Sequence, residues 1–188
     1  MISEYLKQSW HLSEAGLLRE ALSPIHIGLG IHPNSPELWY EKYRLLRRLN
    51  DPEAYKALME CRRVAPDYLP ALQSQYEELV RMNRLKEAYQ LLQELLQKDE
   101  MNPRWWAHKA FWAMHFGDLE AAEEAIQKAS ELPTQTPEIL YYQALFLARL
   151  GRQKEASALL EKCVQQEPQL LKDIAEEPIL QALMLSSK

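Results

Sequence analysis

The chain has 188 residues, 47% of them hydrophobic and 26% charged, which is enough apolar material to bury a continuous core and too much for a disordered polypeptide. Its formal net charge of −5 excludes a broad phosphate-binding surface, because nucleic-acid domains carry a net basic field, and leaves room only for a local basic patch. Cys61 and Cys163 make neither a disulfide framework nor a paired metal-ligand spacing, and are expected as small buried thiols.

The N-terminus, Met1 to Trp10, carries Glu4 and Lys7 where a signal peptide needs an unbroken apolar core, and no later window has the apolar length to span a bilayer. The expectation is a soluble, cytoplasmic protein. In chain order, the first predicted helix runs near 3–14 and ends before Gly16; a second follows near 18–30. Pro24 falls inside that second helix, where it removes a hydrogen bond and clashes with the preceding turn, so a kink is expected there. Gly28 and Gly30 follow it.

Ser35-Pro36-Glu37 and Asp51-Pro52-Glu53 each set a capping side chain before a proline and an acid in the first turn, the pattern of a helix start. They predict helices near 36–48 and 52–64, with Asn50 in the turn between them. Pro70 opens the next helix, near 70–82. Asn83 turns into another near 85–98. Asp99-Glu100-Met101-Asn102 then lengthens an otherwise tight connection and is the expected seam for bending. Asn102-Pro103 and Thr136-Pro137-Glu138 start helices near 103–115 and 137–149. Their partners are expected near 119–131 and 153–166, after Gly117 and Gly151. Pro168 ends the last of these, and Pro178 opens a final helical segment.

Two ladders run through this alternation. Ala21, Ala54, Ala88, Ala122 and Ala156 are spaced 33, 34, 34 and 34 residues apart. Gly16, Asn50, Asn83, Gly117 and Gly151 recur just upstream, residue types that tolerate the left-handed backbone of a tight helix-to-helix turn. The alanines have a packing reason: two helices of a hairpin approach closely only where one offers a small side chain to the other's bulky one.

The period, the helix-turn-helix unit and both ladders resemble the tetratricopeptide repeat family over roughly residues 2–168. The resemblance is fullest in the fifth unit, through Leu140, Ala144, Leu147, Gly151, Ala156, Leu160, Cys163 and Pro168, with Cys163 where the family usually has a small alanine. The fourth matches through Trp106, Ala110, Gly117, Ala122, Ile126 and Ala129. In the second and third units Tyr43 and Tyr76 stand where a small residue is usual, so wider helix spacing is expected there. The resemblance implies an all-α, right-handed superhelical α-solenoid of five repeats, near 2–34, 35–67, 68–102, 103–136 and 137–168, with a C-terminal capping helix in 169–188. That last segment holds Leu170, Leu171, Ile174, Ile179, Leu180, Leu183, Met184 and Leu185. It either caps the stack or serves as an amphipathic tail for a partner or a second copy.

In the family, the first helix of each repeat lines the concave face and takes up a peptide. Carried over, this implies a face of Leu6, Lys7 and Trp10; Tyr40, Arg44 and Arg48; Gln73, Glu77 and Arg81; Arg104, His108, Phe111 and His115; and Tyr141, Tyr142, Leu145 and Arg149. Aromatic and arginine side chains are enriched at interface hot spots. With Arg47, the arginines make this face more basic than the acidic whole, which favours an acidic or amphipathic protein segment as ligand. The family's carboxylate clamp is absent, since Lys7 is followed by Trp10 and His11 instead of the required asparagine. A chaperone-tail role is therefore disfavoured.

No nucleophile–base pair, carboxylate pair or phosphate-cradling glycine loop occurs, so neither an enzyme nor a cofactor is expected. His108 and His115 share a helix face, but no carboxylate completes a metal-ligand set. The leading expectation is a non-enzymatic interaction scaffold or adaptor, chaperone-like in the broad sense of holding another protein. The alternatives are a self-assembling scaffold, a homo-oligomer built through the C-terminal segment, and a helical-repeat RNA binder. Glu37, Glu41, Glu77 and Glu138 interrupt the basic stripe that RNA would need.

Overall fold

The computed structural model describes residues 2–133 and 136–181; Leu183, Met184 and Leu185 lie outside these. The described chain is helical, without a strand. The helices are α1 (Ile2–Glu14), α2 (Leu22–Ile31), α3 (Pro36–Arg48), α4 (Ala54–Val64), α5 (Leu69–Arg81), α6 (Leu85–Lys98), α7 (Pro103–Phe116), α8 (Leu119–Glu131), α9 (Pro137–Arg149), α10 (Gln153–Gln166) and α11 (Leu171–Glu176), with a 3-10 turn at Pro168–Leu170 before the last. They alternate as the sequence predicts, each first helix ending in a tight turn, with a longer connection between α1 and α2 than in the other hairpins.

Those five turns share one geometry. Gly16, Asn50, Asn83, Gly117 and Gly151 all have φ between 53° and 81°, and each next residue donates its N–H to a carbonyl five residues back: Leu17 to Leu12, Asp51 to Leu46, Arg84 to Leu79, Asp118 to Ala113 and Arg152 to Leu147, at 2.8–2.9 Å. The turn residue itself bonds three back, at 3.0–3.2 Å. This paired closure satisfies carbonyls that a helix end otherwise leaves without partners. Three of the four expected caps form, and Asp118 supplies a further one. Ser35 Oγ accepts from Leu38 N, Asn102 Oδ1 from Arg104 N, Asp118 Oδ1 from Ala121 N and Thr136 Oγ1 from Ile139 N, at 3.0–3.4 Å.

Two expectations are corrected. The second helix begins at Leu22, four residues later than predicted, so Pro24 stands in its first turn and does not kink its interior. The reason is visible in the backbone: Ser23 N and Leu22 N bond three residues back, to Glu20 O and Arg19 O, tightening the chain before the proline ring, whose missing N–H then costs nothing. Similarly α4 starts at Ala54, after Asp51 Oδ1 has accepted from Glu53 N at 2.9 Å.

The chain forms two compact units, Met1–Leu91 and Leu92–Lys188, with the division inside α6. In the first unit, Ala21, Ile25, Leu29, Leu38 and Leu45 form one core cluster, against which Tyr5, Leu6 and Trp39 pack. Tyr43, Leu46, Ala54, Ala57, Leu58, Cys61 and Ala71 form the next. Tyr43 and Tyr76 are both buried. In the second unit the core joins Ala113, Met114, Ala122, Ala144, Leu145, Phe146, Ala156 and Leu160 to Ile174 and Leu180. The described part of the C-terminal segment therefore covers the last hairpin. All five ladder alanines are buried. The connection expected to bend is tied down within the second unit, for Asp99 Oδ2 accepts from Trp105 Nε1 at 3.0 Å and from Asn102 Nδ2 at 2.9 Å, and Glu100 O accepts from Trp106 Nε1 at 2.8 Å.

Candidate protein-binding faces on the first helices

In the first unit, α1 presents Lys7 and Trp10 to solvent; the Trp10 side chain is 54% exposed and lies edge-on to His11, with ring centroids 5.0 Å apart. Leu6 packs into the core behind them. On α3, Arg44 is exposed and bonded to Glu41 one turn back at 2.9 Å. Tyr40 is half-buried, shares a hydrogen bond of 3.0 Å with Ser74 of α5, and packs against Tyr43 and Tyr68. The exposed groups here are thus Lys7, Trp10 and Arg44.

The remaining predicted arginines are engaged within the chain, by a pattern that repeats. Arg48 and Arg149 each stand two residues before a left-handed turn residue, and each reaches the residue three before the previous such turn in its own unit: Arg48 Nη1 donates to Ser13 Oγ, and Arg149 Nη1 to Met114 O at 3.1 Å. One first helix is thereby stapled to the next. In the Met114 case the carbonyl already accepts from Gly117 N at 3.2 Å, and the guanidinium adds a second bond at the C-terminal end of α7.

Arg81 holds the same place in its repeat, but the residue it would reach is Arg47, another cation. Glu78 resolves the conflict. Its carboxylate, 1% exposed, takes Arg47 Nε on Oε1 and Arg81 on Oε2, with Arg81 Nε at 3.0 Å, and the Tyr43 hydroxyl donates to Oε1 at 3.1 Å. Burial and then the neighbouring Glu78 charge push the Tyr43 hydroxyl above its ordinary pKa, so it stays a donor. Glu78 is a residue that the sequence reading passed over. A signal existed: Tyr43 in a small-residue place carries a hydroxyl into the core, and a buried hydroxyl needs a partner.

In the second unit, α7 and α9 bring His108, Phe111, Tyr141 and Tyr142 together. Ring centroids lie 6.3 Å apart for His108–Tyr142, 5.4 Å for Phe111–Tyr142 and 5.2 Å for Tyr141–Tyr142, and all four rings are partly buried and partly open. His108 Nε2 bonds Glu138 Oε1 at 2.8 Å, and Arg104 Nε lies 3.9 Å from Glu138 Oε2. Burial alone would raise the Glu138 pKa, but the His108 hydrogen bond and charge, joined by Arg104, outweigh it and hold the carboxyl below the usual glutamate range. Glu138, read from sequence as a helix-start acid, is thus also the link between α7 and α9. Leu145 is core, and His115 lies edge-on to Trp112 and Phe116. Among the described residues no group of three or more His, Cys, Asp or Glu could hold a metal ion, and no helix is long and apolar enough to cross a membrane.

Comparison with known proteins agrees with this architecture. Residues 79–146 match the tetratricopeptide repeat model. No curated protein sequence matches the chain. Among solved structures, residues 41 to the end of MamA from Desulfovibrio magneticus RS-1 superpose with a TM-score of 0.72 at 20% identity, covering 89% of this chain and 96% of that one. A tetratricopeptide repeat protein from Parabacteroides merdae ATCC 43184 gives 0.79 at 13% identity, over 97% and 73%. YrrB, described as a tetratricopeptide repeat protein with an unusual peptide-binding site, gives 0.67 at 17% identity, over 87% and 85%. The helical hairpins of this chain share the fold of these tetratricopeptide repeat structures over most of its length, and residues 79–146 match the repeat in sequence.

Proposed function

We propose that the protein is a non-enzymatic scaffold that holds a segment of another protein against its first helices. The observation that carries this reading is the partly open aromatic cluster of His108, Phe111, Tyr141 and Tyr142 beside Arg104. Rigid aromatic rings fixed by their neighbours lose little entropy on binding and bury much area, which is what an interface anchor needs. In the first unit, Trp10 with Lys7 and Arg44 supplies the same combination of an exposed ring and cations. An acidic or amphipathic segment complements both faces. The peptide-binding site named for YrrB is consistent with this use of the fold.

The engagement of Arg48, Arg81 and Arg149 inside the chain directs the test toward other residues, because charge reversal at those positions disturbs packing as well as binding. A photo-crosslinking side chain placed at Arg44 or Tyr141, with capture from native lysate and peptide mapping, should join a partner's segment rich in Asp or Glu beside apolar residues. Trp10→Ala with Arg44→Glu should reduce capture at least tenfold without changing the helical circular dichroism. Capture that persists in that variant, with crosslinks obtained equally from second-helix positions such as Glu124, sinks the assignment.

The burial of Ile174 and Leu180 against the last hairpin favours a cap over a free assembly tail for the described part of the C-terminal segment. Chaperone-like holding, in which many partners share the faces, predicts several unrelated crosslinked segments in place of one.

A further inference from the structure

The Arg47–Glu78–Arg81 cluster does more than reconcile two cations. Both guanidiniums line one cavity of about 230 Å³ at the α3–α4 turn, together with Asn50, Asp51, Pro52, Ala54, Tyr55 and Met82. The arginine side chains are 42% and 58% exposed while the carboxylate between them is buried, so their outer edges remain accessible. Two positive charges share one negative charge, and the buried carboxylate fixes where both forks lie. A guanidinium carries five N–H donors in a rigid plane. Arg81 commits Nε and Nη2 to Glu78, which leaves its other terminal nitrogen for a ligand.

We infer that this cavity is a binding site for a phosphoryl group. The chemistry follows from the lining. An oxyanion with three terminal oxygens suits two oriented guanidiniums with Asn50 and Tyr55 beside them, and Arg forks recognise phosphate in this bidentate manner. Because the arginines are already ordered by Glu78, binding does not have to immobilise them. The volume corresponds to about eight waters. It holds a phosphoryl group and the first few atoms attached to it, as in free phosphate or a phosphorylated serine side chain. One lining group opposes an anion: Asp51, whose Oδ1 accepts from Glu53 N. An asparagine there keeps that acceptor and removes the charge.

The test is a titration of the intact protein at low ionic strength with inorganic phosphate, O-phospho-L-serine and acetate, following the Nε–Hε resonances of Arg47 and Arg81. Saturable shifts are expected at these two arginines with dissociation constants on the order of millimolar. Asp51→Asn should tighten binding about three- to tenfold, and Arg81→Lys, which can still pair with Glu78, should weaken it about tenfold. Response to phosphate alone identifies a free-anion site, and stronger response to phosphoserine a site for a modified side chain; either supports the inference. Resonances that do not move with either phosphate compound, that move equally with acetate, or an affinity unaltered in Asp51→Asn, overturn it. Should Arg81→Lys fail to fold, the Asp51→Asn arm decides, since it leaves the ion pairs intact.

Discussion

Glu78 shows how much depends on one side chain. With the carboxylate 1% exposed and bonded to Arg47, Arg81 and Tyr43, Glu78→Gln leaves two guanidiniums facing each other with no counter-charge. The expected cost is about 3 kcal/mol, at the lower end for a broken buried pair because both arginines keep partial access to water; the fall in urea midpoint at constant slope measures it. Glu138 has a different signature. Its folded pKa is depressed, by His108 and Arg104 against the opposing effect of burial, so its contribution is fully present above the ordinary glutamate pKa and is lost as pH falls through the folded value. As pH falls below the ordinary glutamate value of about 4.3, Glu138→Gln and the native protein should therefore begin to approach one another in stability, having differed at neutral pH; parallel urea midpoints across that range contradict the link. Neither cluster was legible in sequence beyond its ingredients. Arg104 and His108 were picked out for their types, yet Glu78 was passed over and Glu138 was read only as a helix-start acid that interrupts the basic stripe, because a period of 34 residues locates a repeat but does not say which polar groups meet across it.

At the level of elements the sequence was far more transparent. Proline, glycine and asparagine placed ten helices to within a few residues, since each acts through local backbone geometry that no tertiary contact need supply. The misplaced start of α2 has the same local origin: Pro24 moved the helix boundary instead of bending the helix. This helix also separates two glycines that sequence alone treats alike. A Cβ on Gly28 would stand 3.0 Å from both Leu38 Cδ1 and Tyr5 Cδ2, whereas one on Gly30 would meet nothing within 4 Å. Gly28→Ala should accordingly destabilise by about 1–3 kcal/mol through overpacking between α1 and α3. Gly30→Ala should stabilise by up to about 1 kcal/mol by restricting the unfolded chain. Thermal or urea unfolding of the pair checks both signs. The staple from Arg149 to Met114 O belongs at this scale too, and Arg149→Met should cost about 1 kcal/mol.

For the molecule as a whole, stability in a repeat array is a sum over hairpins and their nearest-neighbour contacts, so an uncovered end is a specific liability. Ending the chain at Pro168 removes Ile174 and Leu180 from the core around Ala148 and Leu160. Sedimentation should then show aggregation or loss of folded monomer, and a well-behaved monomer would contradict the capping role. The two cysteines allow the two compact units to be followed separately. Cys61 and Cys163 occupy corresponding places, one in each unit; each thiol is buried and donates across the hairpin stack, to Pro36 O and to Pro137 O respectively, both at 3.2 Å. Burial first, and nearby glutamates next, push both thiols up to about 11, so almost no thiolate is available while the structure is closed. Alkylation at neutral pH therefore proceeds only through opening, and the mass-resolved labelling rates of the two sites are native stopwatches: equal rates would mean that the units open together, and unequal rates would rank which one yields first.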